Sequence, residues 1–139
     1  TPFAAATNDG DSIRVMQHGA PLYDPKRDCE PKNFRGPIAI FHGDLDGVMH
    51  PDLLEATAKD FTPGDADRSV VSESSELKVT DFSSSGRTKV RTFLIKGLKH
   101  NWSGGRNVGS MNPPKGPSAT QMIFEFLTDS TQKTPPVLR

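Results

Sequence analysis

A single cysteine, Cys29, stands among 139 residues. No disulfide can form within the chain, and cysteine usage says nothing about redox compartment. Neither sign of charge is in excess, since Lys+Arg and Asp+Glu both number 17. The absence of any concentrated basic stretch argues against nucleic acid as a partner, because phosphate binding needs clustered positive charge. It also leaves no polybasic handle for an anionic membrane. No apolar run exceeds four residues, the length of Ile38–Phe41, far short of the roughly 20 that a membrane-spanning helix requires. Hydrophobic residues make up only 33%. What the chain has in quantity is glycine and proline, 12 of each. Counting glycine brings the apolar share close to the usual level of about 45–50%, so the sequence reads as one loop-rich globular domain over residues 1–139. It opens at Thr1 without a methionine or a secretory leader, and is expected to be a processed or truncated product.

Element signals are uneven along the chain. Ser12–His18 predicts a short helix stopped by Gly19 and Pro21, and Tyr23–Phe34 reads as loop. Ile38–Phe41, bounded by Gly36-Pro37 and Gly43, has the pattern of a strand buried on both faces, as in a parallel sheet. Pro51–Phe61 predicts a helix, with Pro51 in the first turn and Asp52 and Glu55 favoured by the helix dipole. Thr62–Glu76 reads as a polar loop. Leu77–Phe82 and Thr88–Ile95 predict a hairpin turning at Ser83–Gly86, and Gly97–Pro117 a long loop. Ser118 with Gln121 suits a capping box. Ala119, Met122, Ile123, Phe126 and Leu127 then recur on one helical face, and the tail 129–139 is expected to be flexible. The order suggests an open α/β sheet, in which ligands gather beyond the carboxyl ends of strands.

Two loops leave such ends. The first, His42-Gly43-Asp44-Leu45-Asp46-Gly47-Val48-Met49-His50, holds two carboxylates and two imidazoles. Three readings of it stand open. One is a divalent-metal site from His42, Asp44, Asp46 and His50; a calcium loop starting at Asp44 would need an oxygen ligand and a glycine where Val48 and Met49 stand. Another is a set of solvated turn residues with Asp46-Gly47 at the bend. The third makes Asp46 the acid that orients a histidine and stabilises its protonated form. The second loop, Gly97-Leu98-Lys99-His100-Asn101-Trp102-Ser103-Gly104-Gly105, supplies a histidine, His100, in the order acid then histidine.

The first of these runs resembles the HGxxDxxV acid loop of the polyhydroxybutyrate depolymerase and feruloyl esterase group. The second is similar to that group's G-x-x-H-x-W-x-G-G histidine loop. Pro114–Ala119 before an apolar helix resembles the close of these domains, and Phe3–Ala6 the strand after their nucleophile helix. The resemblance implies the C-terminal portion of an α/β-hydrolase fold: a mostly parallel sheet flanked by helices, incomplete without N-terminal strands. It implies a serine-type carboxylic ester hydrolase acting on polyhydroxyalkanoate, feruloyl or acetyl esters, in a secreted or periplasmic setting. Asp46 would be the catalytic acid and His100 the general base, with Trp102 lining the substrate pocket and no metal or organic cofactor required. A serine nucleophile needs a Gly-x-Ser-x-Gly elbow, and no serine here has that context. The implied partner is therefore a complementary N-terminal chain or segment carrying the serine. The alternative is a non-catalytic binding or scaffold protein.

Overall fold

The hairpin signal is where the fold begins. The computed structural model describes residues 9–19, 36–62, 64–105 and 116–132. In it, strand β3 (Leu77–Ser84) runs into β4 (Arg87–Ile95) through a two-residue turn, with Ser85 at φ 52° and Gly86 at φ 72°. Positive φ at both central positions is the turn whose twist matches that of the flanking strands. The hairpin forms the middle of a four-stranded sheet in the order β1-β4-β3-β2, with β1 at Ile38–Gly43 and β2 at Asp67–Glu73.

Strand alternation sends Val90 to one face of β4 and Arg91 to the other. On the first face Val90, Phe82 and Ala58 are buried together, with Ile38, Ile40 and Phe61 packed around them. Ala58 lies on helix α2 (Leu53–Asp60), so α2 covers that face. On the second face the Arg91 guanidinium lies 4.9 Å from the ring centre of Phe126, which belongs to helix α3 (Ala119–Gln132). Arg91 also grips Asp81, its register partner on β3, through two bonds of 2.6 and 2.7 Å. Helix α1 (Asp9–His18) meets the rest where the His50 amide donates to the Met16 carbonyl at 2.7 Å. Among the described residues no helix is long and apolar enough to cross a membrane.

This architecture corrects the expected fold class. A mostly parallel α/β-hydrolase sheet would join its strands by helical crossovers. Here only β1 and β4 run parallel, while β2–β3 and β3–β4 are antiparallel. The cause is local: a two-residue turn reverses the chain and cannot make the crossover of a dozen or more residues that parallel strands need. The sheet is mixed, with α2 and α3 on opposite faces. β1 is half-buried through Ile38–His42 rather than enclosed on both sides.

Other expectations shift less. Helix α2 starts two residues after Pro51, and α3 continues to Gln132 through the first part of the tail expected to be flexible. The segment read as a polar loop, Thr62–Glu76, contains β2. All seven β2 residues are exposed, so it has no buried face to produce an alternating pattern. Main-chain pairing to β3, irregular between Val70 and Ser72, and an ion pair from Arg68 to Glu55 of α2 hold it. Phe3–Ala6, Cys29, Tyr23–Phe34 and residues 106–115 lie outside the described residues.

Candidate active site

Because β1 and β4 are parallel, their carboxyl ends lie side by side, with Gly43 opposite Ile95. The two loops singled out by sequence leave from there and are tied together at once. The Asp44 amide donates to the Ile95 carbonyl at 3.1 Å and the Leu45 amide to the Leu98 carbonyl at 3.0 Å. In return the Gly97 amide donates to Asp44 Oδ1 at 2.6 Å. Gly43 makes the approach possible: a Cβ at that position would collide with the Leu98 and Lys99 carbonyls. At the other side of the histidine loop, a Cβ on Gly104 would strike the backbone of Pro117 and Ser118. This glycine lets the loop seat against the start of α3, where Ser118 Oγ accepts the Gln121 amide at 3.3 Å.

On this frame Asp46 and His100, 54 positions apart, come within 2.8 Å through Asp46 Oδ2 and His100 Nδ1. The other carboxylate oxygen, Oδ1, accepts the amides of Val48 and Met49, both at 2.9 Å. The Asp46 side chain is 6% exposed and that of His100 is 48%, so the carboxylate is fixed inside and the imidazole stands at the surface. Burial works against the Asp46 charge. The Met49 amide, the His100 ring and the Val48 amide outweigh it and hold the carboxyl below its ordinary range. A carboxylate can only accept, so Nδ1 of His100 carries the proton and, in the neutral ring, Nε2 holds the free lone pair. This ring can take a proton at Nε2 while Asp46 steadies it.

The pair opens on a cavity of about 480 Å³ whose wall includes Ile40, Phe41, Leu54, Leu98 and Trp102. Phe41 stacks on Phe93 with ring centres 4.3 Å apart, and the Trp102 ring centre is 6.4 Å from that of Phe41. Trp102 is 46% exposed and lines the cavity beside Phe41. The one serine on the wall, Ser103, is buried and donates from Oγ to the Pro117 carbonyl at 2.6 Å.

The remaining polar residues of the acid loop disperse. Asp44 faces Gly97, and His50 Nδ1 lies 3.5 Å from Asp52 Oδ2. His42, one residue before the end of β1, contacts the Asp46 turn. Among the described residues no three His, Cys, Asp or Glu side chains converge as a metal site, so the four-ligand arrangement of His42, Asp44, Asp46 and His50 does not form. Sequence reasoning did not anticipate the contact of Asp44 with Gly97 or that of His42 with Met49. The only sequence signal for the first was an acidic residue one position after a strand-end glycine. Compared with known protein families and with curated proteins, the chain matches none.

Proposed function

We propose that this chain supplies the acid–base pair of a serine-type carboxylic ester hydrolase, with His100 as general base and Asp46 as the acid that orients it. The observation that carries the reading is the 2.8 Å contact between Asp46 and Nδ1 of a half-exposed His100 at the mouth of an apolar-walled cavity. In this reaction a serine hydroxyl attacks the ester carbonyl while Nε2 of His100 takes its proton. The imidazolium then protonates the leaving alcohol, and water repeats the cycle to release the acid. The apolar wall, Trp102 included, suits the acyl or alcohol side of the ester. Polyhydroxyalkanoate, feruloyl and acetyl esters are the classes suggested by the two loop motifs, and the serine comes from an N-terminal segment or complementary chain. The support is the two loop motifs and the geometry of the pair, which needs only the parallel β1–β4 neighbours and not a mostly parallel sheet.

A fluorophosphonate probe, which traps activated serines, tests this on the intact preparation, read by mass spectrometry of every polypeptide present. The expected result is label on a serine of a co-purifying or upstream segment, lost in His100→Ala. In ester hydrolysis, Asp46→Asn should lower kcat by about 10⁴-fold, the scale seen when a triad acid loses its charge. A second reading, a non-catalytic binding module using the same cavity, is favoured by one observation: Ser103 is committed to Pro117. Absence of label from every polypeptide would move that reading ahead.

A further inference from the structure

Asp46 has a second imidazole beside it. His42 lies near the end of β1, opposite Leu94 of β4, and is one turn of loop away from Met49. Its Nε2 is 2.9 Å from the Met49 carbonyl oxygen and 3.6 Å from Asp46 Oδ2. The His42 and Asp46 side chains are 10% and 6% exposed, so these contacts are shielded from water. A carbonyl only accepts, which requires a proton on Nε2 of His42.

Met49 is therefore held from both ends. Its amide donates to Asp46 Oδ1, and its carbonyl accepts a hydrogen bond from His42 Nε2. The turn that presents two amides to Asp46 is thereby anchored to a sheet strand instead of resting on its own local bonds. The same N–H places the positive end of a bond dipole near Oδ2, the oxygen that receives His100.

We infer that His42 is a positioning residue for the Asp46–His100 pair, fixing the Asp46 turn through Met49 and thereby the hydrogen-bonded tautomer of His100. The inference rests on reading that pair as the acid and base, but its test does not depend on ester hydrolysis. Conservative orienting groups of this kind tune the group they hold without touching substrate.

Ring ¹H–¹⁵N spectra of the 139-residue chain at mildly alkaline pH, compared with His42→Gln, His42→Leu and Asp46→Asn, decide the matter. His42 should show the Nε2–H form. His100 should show the Nδ1–H form with a low-field proton. Asp46→Asn should abolish the His100 low-field signal, and His42→Leu should lose most of it. His42→Gln, whose side-chain amide places a donor near the imidazole Nε2 position, should keep it. Finding His42 as the Nδ1–H form overturns the inference, and so does a folded His42→Leu with an unchanged His100 signal. Should His42→Leu fail to fold, the native His42 tautomer and the His42→Gln spectrum still give the answer. A failed fluorophosphonate experiment with these spectra as expected would reject the hydrolase and leave the positioning role standing.

Discussion

At the scale of single residues, the chemistry concentrates in Asp46. Its carboxyl is nearly enclosed, yet it remains the anion because two amides and an imidazole surround it. Such an environment links charge to stability. The folded-state value lies below that of the unfolded chain, about 3.9 for an ordinary aspartate. The stabilising contribution is thus complete above that pH and is lost as pH falls through the lowered folded value. Melting temperature measured from pH 6 down to pH 2 should accordingly drop more steeply for the native chain than for Asp46→Asn below about pH 4. Equal acid limbs would show that the carboxylate gains nothing from its surroundings. The pairing of Asp46 with His100 was legible in the sequence because each residue follows an apolar strand and the two loops have recognisable composition. The part played by His42 was not, since a contact to a backbone carbonyl leaves no pattern in residue types.

At the scale of elements, the two loops behave as one unit. Three main-chain or side-chain bonds cross between 44–45 and 95–98, and Gly43 allows the closeness. Gly43→Ala should separate the loops at a cost of about 1–3 kcal/mol, the usual range for overpacking. Asp46→Asn would leave this lacing intact, so the two variants separate loop geometry from charge. Chemical denaturation gives the cost, and the His100 ring spectrum shows whether the pair parts. An unchanged spectrum in Gly43→Ala would mean that the lacing does not set the pair. Strand β2 shows the limit of pattern reading. With every side chain exposed, its existence depends on an available β3 edge, which no window of the sequence around Asp67–Glu73 contains. Helix α3 was readable because one face meets the sheet. Phe126 is buried there while Phe124, two positions earlier, is 68% exposed.

At the scale of the whole molecule, the sequence carried the elements better than their connections. It held a parallel-type strand at Ile38–Phe41 and a hairpin at Leu77–Ile95, and the hairpin determines the sheet because β4 is the strand that β1 joins. An α/β reading weighted the first signal and undervalued the second. The core between α2 and the sheet is small, centred on Ala58, Phe82 and Val90. Phe82→Ala should therefore cost about 3–5 kcal/mol, a large part of the 5–15 kcal/mol typical of a domain. Its melting temperature should fall by roughly 10 °C or more; a drop of a degree or two would mean the core lies elsewhere. The direction of β4 has a practical corollary. Its nine residues run from Arg87, beside the Ser85–Gly86 turn, to Ile95 at the cavity, a span of roughly 25–30 Å at strand rise. A dye, an affinity handle or a link to a solid support attached at that turn would sit at the far end of the strand, leaving the cavity beside His100 unobstructed.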